Sequence, residues 1–267
     1  MTRALSLAHL TLLELPPPEF ISVAAQAGFD AVGLRLIAVT ETTAGYALMD
    51  DPQMLRDTLR ALKQTGLRVN DIEFVRLTPA FDPQKLIGFL QTGAELGAKY
   101  IVTAPYDPDL GRLADNLAGF ADLAAGFGLK PVLEFFPWTN VPDFQTALQI
   151  VQASGASNIG VLVDTLHFDR SGSLLSDLAA TDPALLPFIH LCDAPVHPPY
   201  TQEALLHTAR GARLIAGQGA IALRDILAQL PQDIAIAVEV PLEHRAGLSA
   251  QAVAQAIFDH TQAYLRT

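Results

Sequence analysis

The sequence predicts one (β/α)8 barrel that fills the whole chain, residues 1–267. Three observations lead there. The chain has 267 residues, and one such barrel takes roughly 250. Half of it is hydrophobic and only 17% is charged, which supplies the apolar surface for a large core. Short apolar runs alternate with longer amphipathic stretches from end to end, the pattern of repeated β–α units.

Eight runs read as buried parallel strands: Leu5–Thr11, Ala31–Leu36, Arg68–Leu77, Tyr100–Tyr106, Pro131–Phe136, Ile159–Leu166, Phe188–Cys192 and Ile234–Val240. A strand covered on both faces is apolar along nearly its whole length, as IGVLVDT and IAIAVEV are. Between the strands, DPQMLRDTLRALKQTG opens with Asp51 as N-cap and Pro52 at the first helical position, and Gly66 closes it. Asp82 repeats that opening. Further helices carry apolar residues at three- and four-residue spacing. Pro183 interrupts the one expected within Ser173–Leu186. A doubly wound open sheet is the competing architecture. It would usually carry a glycine-rich turn after strand 1, where this chain has LELPPPEF. Two loops look long, Ile37–Asp50 and Asp193–Ala220. Both belong to the C-terminal face, where barrel active sites are built.

The formal net charge of −11 opposes phosphate backbones and anionic membrane surfaces at long range, so neither nucleic acid nor membrane is an expected partner. Cys192 is the single cysteine, which excludes an internal disulfide and points to a reducing, cytoplasmic setting. The apolar stretch Leu5–Leu15 lacks the flanks of a signal peptide and reads as a strand. No apolar run reaches the roughly 18–20 residues of a membrane span.

Charged residues inside apolar strands carry the chemical information, because a buried charge is costly unless paired or bound to a metal. Four occur in order near the C-terminal ends of consecutive strands: Glu134 in VLEFFP, Asp164 in VLVDTLHF, His190 in FIHLCDAP and Glu239 in AVEVP. Any one alone is more often a salt-bridge partner or a satisfied core residue. In a barrel, four successive strands in this register aim at one point.

AAQAGFDAVGLRL, VLEFFP, VDTLHF, IHLCD, RLIAGQG and AVEVP together resemble the xylose-isomerase-like superfamily, the sugar phosphate isomerase/epimerase group that includes the endonuclease IV enzymes. The resemblance covers nearly the whole chain. It implies that Glu134, Asp164, His190 and Glu239 hold one divalent metal, and that Glu134 and Glu239 flank the substrate as acid and base. It gives His167, three residues after Asp164, a place against the substrate. It gives Arg213 a substrate hydroxyl or phosphate to grasp. Many relatives read R-x-x-P-G-E-G at that turn, where this chain has Ala216 and Gln218. Gly217 and Gly219 read as positive-φ positions of the turn. Trp138 is a candidate apolar wall for a sugar ring. Asp193 is a candidate support for a neighbouring ligand. Glu73 and Arg76 are expected to pair with each other, and His9 and Arg35 are unranked pocket candidates.

Three carboxylates and an imidazole suit Mn²⁺, Mg²⁺ or Co²⁺, with Zn²⁺ also compatible. The set carries a formal charge of about −3, so a dication alone leaves it negative. The expected activity is a metal-dependent sugar or keto-sugar isomerase or epimerase. Proton abstraction next to a polarised carbonyl would form an enediolate. A dehydratase or lyase acting on a keto-polyol such as an inosose is the alternative, with His167 as the acid. A DNA-repair endonuclease would need extra histidines for a three-metal cluster, and this chain offers Glu73, Tyr106 and Gly211-Ala212-Arg213 instead. A nonenzymatic sugar-binding protein is the remaining alternative. The expected partner is a small sugar or polyol, and a homo-oligomer is compatible with the sequence.

Overall fold

The computed structural model describes residues 3–245 and 247–266. Eight parallel strands close into a barrel: β1 (Leu5–Leu7), β2 (Ala31–Arg35), β3 (Arg68–Leu77), β4 (Tyr100–Pro105), β5 (Lys130–Glu134), β6 (Gly160–Asp164), β7 (Phe188–Leu191) and β8 (Ala235–Val238). Closure is made by β1 on β8, with Ser6 opposite Ala237. It excludes the open-sheet alternative.

Among the described residues, ten helices lie between and after the strands: α1 (Pro17–Ala27), α2 (Pro52–Thr65), α3 (Ile87–Glu95), α4 (Leu110–Ala125), α5 (Phe144–Ser154), α6 (Thr165–Arg170), α7 (Leu175–Ala180), α8 (Gln202–Gly211), α9 (Leu223–Ala228) and α10 (Ala250–Arg266). The start and stop signals act as expected in α2. The Asp51 carboxylate accepts from the Gln53 and Met54 N–H groups, and Gly66 ends the helix at φ 74°. After Asp82 the chain first makes a 3-10 turn, Pro83–Leu86, and only then α3. Pro183 stops regular helix in its segment. There α7 ends at Ala180, and a separate 3-10 turn capped by Asp182 spans Pro183–Leu185. The stretch Asp193–Ala220 is not one long loop, because α8 occupies its middle, capped by the Thr201 hydroxyl.

The first strand is shorter than its apolar run. After Leu7 the chain turns into a 3-10 helix, His9–Leu12. Side chains continue the hydrogen bonding that the backbone abandons: Thr11 Oγ1 donates to Val238 O (3.3 Å) and accepts from Val240 N (3.0 Å). His9 has the same structural use and lies outside the pocket. Its Nδ1 accepts from Arg35 N (3.0 Å), and its ring stacks on Phe20 and Tyr46. Burial pushes its pKa down to about 3, so it is neutral.

Apolar side chains fill two layers. One, including Phe20, Phe89, Phe120 and Phe144, lies between barrel and helices. The other fills the barrel with Phe74, Val102, Ala104, Val132, Leu162, Phe188 and Ala237. The barrel is therefore a packed core and not a pore.

Asp71 breaks the apolar filling. It is buried, its Oδ2 accepts from Asn70 Nδ2 (3.0 Å), and Gly33 leaves it room, since a Cβ there would lie 2.6 Å from Asp71 Oδ1. Burial, then the nearby Glu73 charge, pushes its pKa from 3.8 up to about 7. Between those values the folded chain holds a proton that the unfolded chain has released, so stability contributed here falls as pH rises. In EDTA-treated protein, Asp71→Asn is expected to remove that slope. It should melt higher than wild type at pH 8 by a margin worth on the order of 1 kcal/mol or more. An Asn variant that is less stable than wild type at pH 8 would contradict this account.

Candidate metal centre and active site

Strand register brings the four strand-end residues together. Glu134 ends β5 opposite Leu162, and Asp164, two residues further along β6, points to the same face. Asp164 is opposite His190 on β7, and His190 is opposite Ala237 on β8. Glu239 lies two residues beyond Ala237, just past the strand end, with its N–H on Leu191 O (3.2 Å). All four side chains are buried, Glu134 and Glu239 at 3% exposure, His190 at 1% and Asp164 at 0%.

One atom from each of the four lies within 4.8 Å of every other. Atoms that share an ion at about 2.0–2.2 Å can be no more than about 4.4 Å apart, so a few tenths of an ångström of closure suffices. His190 is the decisive member. Its Nδ1 stands 3.4 Å from Glu239 Oε2, 3.6 Å from Glu134 Oε1 and 3.8 Å from Asp164 Oδ2. Both of its ring nitrogens are buried without a hydrogen-bond partner. A buried polar atom so placed calls for a ligand. Among the described residues this is the one group of three or more His, Cys, Asp or Glu side chains close enough to share an ion.

Arg213 enters this cluster. Its Nη1 donates to Asp164 Oδ2 (2.6 Å), its Nη2 pairs with Glu239 Oε2 (2.9 Å) and its Nε donates to Ala209 O (3.0 Å). The charge expectation changes accordingly. The guanidinium supplies one positive charge, so a dication would bring the set to neutrality. Burial raises the carboxylate pKa values of Asp164 and Glu239, but Arg213 together with the neighbouring histidines more than reverses it and holds both below the ordinary range. Glu134 has no such partner, and burial pushes its pKa up. Burial opposes charge on His190, yet Glu239 and Glu134 keep its pKa well above the usual imidazole value. A dication would therefore compete with a proton there.

Asp164 does two jobs. Its Oδ2 faces Arg213, while Oδ1 caps α6 by accepting from Leu166 N (2.7 Å) and His167 N (3.3 Å). That cap sets His167 on the first turn of α6, with Nε2 3.9 Å from Glu134 Oε1. Burial lowers the His167 pKa to about 4, so the ring is neutral. Its edge packs on Phe136 and Trp138, and Trp138 stacks on Phe136 at 5.1 Å. Trp138 and His167 thus share one wall of a pocket of about 310 Å³ above the cluster.

The glycine turn is built by Asp193. Its Oδ2 accepts from Gly217 N (3.0 Å) and Gly219 N (2.9 Å), and its Oδ1 from Ile221 N (3.0 Å) and Ala194 N (2.8 Å). A two-way backbone bridge between Asp193 and Leu214, both bonds 2.8 Å, places Arg213 beside the cluster. Gly217 does adopt positive φ, at 85°. Gly219 does not; it is glycine because a Cβ would meet Asp193 Oδ1 and lie 2.5 Å from Ala194 O. Asp193→Ala leaves these N–H groups without their acceptor. It is expected to lower the unfolding free energy by roughly 3 kcal/mol, read by urea denaturation. A loss under about 1 kcal/mol would mean the turn holds itself.

Glu73 and Arg76 do not pair. Arg76 points outward, its guanidinium 4.7 Å over the Tyr106 ring and its Nη1 on Val39 O. Glu73 turns inward and pairs with Arg35 (Nη2–Oε2 2.9 Å), and both line the pocket opposite the cluster. Sequence reasoning missed this pair. The available signal was the position of Arg35 as the last residue of β2, equivalent to that of Glu134 on β5.

The family model described as a xylose isomerase-like TIM barrel matches residues 21–263. The chain belongs to that family. Among curated relatives, an inosose isomerase of Bacillus licheniformis is 30% identical over 167 residues, 58% of this chain and 57% of that one. An inosose isomerase of Halalkalibacterium halodurans is 32% identical over 116 residues, 40% and 41% of the two chains. The matched segment thus spans about half the length of these curated relatives. A solved structure described as IOLI protein with a bound zinc atom superposes with a TM-score of 0.82 over 98% of both chains, at 23% identity. Among the described residues no helix is long and apolar enough to cross a membrane.

Proposed function

We propose that this family member is a divalent-metal-dependent isomerase or epimerase of sugars or keto-sugars, with keto-polyols of the inosose class the first substrates to test. One observation carries the proposal: His190 faces three carboxylates with no hydrogen-bond partner on either ring nitrogen, and two of those carboxylates, Glu134 and Glu239, line a pocket of about 310 Å³. Glu134, Asp164, His190 and Glu239 would hold the ion, and their oxygen-rich set suits Mn²⁺, Mg²⁺ or Co²⁺, with Zn²⁺ as the ion of the IOLI neighbour. A bound dication would polarise a substrate carbonyl and make the adjacent C–H more acidic.

The chain's own groups divide the remaining work. Glu134 has no arginine partner, so its carboxylate is the freer of the two glutamates to take a proton. Glu239 and Asp164 are pinned by Arg213. Glu239 stands 3.4 Å from His190 Nδ1, the nitrogen that Glu134 also faces, and would be the second carboxylate of the acid–base pair. His167 and Arg213 border the substrate, and Trp138 with Phe136 gives an apolar wall that keeps water from the reacting carbon.

The test is proton NMR in D2O with Mn²⁺-loaded protein and a panel of inososes and ketohexoses. Expected is deuterium uptake at the carbon beside the carbonyl together with appearance of the isomer. Loss of water in place of interconversion would replace this reading by the dehydratase one, and no exchange on any member would remove both.

A further inference from the structure

The Arg35–Glu73 pair is buried, at 5% and 2% exposure, on the β2–β3 side of the pocket, across from the β5–β8 cluster. It is incompletely satisfied. One mutual hydrogen bond of 2.9 Å joins Arg35 Nη2 to Glu73 Oε2, while Arg35 Nε and Glu73 Oε1 are buried with no partner. Among the described residues, Glu73 is the sole hydrogen-bond partner of this guanidinium, which lies 5.7 Å over the Phe74 ring. Burying two charges and leaving each half-paired is worse for the fold than an apolar filling. The neighbouring Phe74, Val102 and Ala104 show that this part of the barrel accepts such filling.

The charge balance narrows what the pair can meet. Arg35 is neutralised by Glu73, and Arg213 by Asp164 and Glu239. Nearer the mouth, Arg245 is engaged by Glu14 and by Thr11 O. With a dication on the cluster, the buried carboxylates and guanidiniums cancel. The remaining arginine of the pocket lining, Arg210, is solvent-exposed, so no surplus positive charge is buried beside Arg35 and Glu73 for a phosphate. A hydroxyl, by contrast, both donates and accepts, and neighbouring hydroxyls of a polyol can give one hydrogen bond to Glu73 and take one from Arg35.

We propose that Arg35 and Glu73 form a second substrate anchor that reads uncharged hydroxyls at the far side of a polyol held by the metal cluster, so that the substrate is a non-phosphorylated keto-polyol. The inference rests on the function proposed above and adds the substrate's charge state and the residues that read it.

The experiment is calorimetric titration of Mn²⁺-loaded protein with an inosose, its monodeoxy analogues and its phosphate ester. Wild type is compared with the double variant Arg35→Met/Glu73→Leu, which removes both charges together and so leaves neither stranded, and with Glu73→Gln. Melting and Mn²⁺ content check that each variant retains fold and metal. Expected is at least about tenfold weaker inosose binding by the double variant, with one monodeoxy analogue bound equally by wild type and variant. The phosphate ester is expected to bind wild type more weakly than the inosose does. Equal loss for the inosose and every analogue, unchanged inosose binding, or tighter binding of the phosphate ester would overturn the anchor. If the double variant unfolds, the comparison passes to Glu73→Gln with the same expected pattern, and its absence there overturns the anchor. Wild type that binds Mn²⁺ but none of these compounds would overturn the functional reading itself, a failure visible before any variant is made.

Discussion

Glu134→Gln is expected to lower kcat/KM for keto-polyol isomerisation by about 10²–10⁴-fold, the usual contribution of a positioned acid–base group. The amide cannot take the proton, and it is a poorer ligand for a hard dication. Yet the fold should not suffer. Glu134 is 3% exposed and lies near Glu239 and Asp164 with no arginine of its own, so the wild-type carboxylate is a cost to the folded state. The EDTA-treated variant should therefore melt at or above the wild-type temperature. Lost activity with unchanged or raised melting identifies a group retained for chemistry. A fall in kcat/KM of less than about tenfold would remove Glu134 from the proton transfer.

The second large effect is on stability. Arg213→Met is expected to cost about 3–5 kcal/mol, the range for removing one partner of a buried ion pair. The guanidinium is 2% exposed and contacts two carboxylates, at 2.6 and 2.9 Å, that have no other cation among the described residues except His190. Its loss strands both. A dication on the cluster would supply the missing charge, so Mn²⁺ should raise the melting temperature of Arg213→Met more than that of wild type. Thermal melts with and without Mn²⁺ read both effects. Equal shifts in the two proteins would show that Arg213 and the ion do not share a charge site.

Much of this was legible in the residues because an ionisable side chain inside an apolar run is conspicuous. Glu134, Asp164, His190 and Glu239 each interrupt such a run at its end, and barrel closure does the rest. Asp51-Pro52 and Gly66 marked α2 through local backbone chemistry that no distant contact overrides. What stayed hidden depends on cross-strand register and on side chains that replace backbone bonds. Arg35 meets Glu73 because β3 shifts register against β2 between Val32 and Gly33, a shift with no local signature. Thr11 and His9 look like strand residues, but their side chains complete hydrogen bonding where the backbone has left the sheet. Gly219 resembles a positive-φ glycine in sequence and is instead held to glycine by the Asp193 carboxylate. Arg213 was expected beside the substrate; the structure lines the pocket with it and also commits its guanidinium to Glu239 and to Asp164, the latter 49 residues away in sequence.

The central claim is that these four residues hold one divalent ion. Anomalous diffraction at the manganese edge, from crystals grown with Mn²⁺, tests it directly. The account predicts one strong peak per chain, within about 2.0–2.4 Å of an oxygen of Glu134, Asp164 and Glu239 and of a ring nitrogen of His190. A peak elsewhere, or no peak while Arg213 still bridges Asp164 and Glu239, would contradict it.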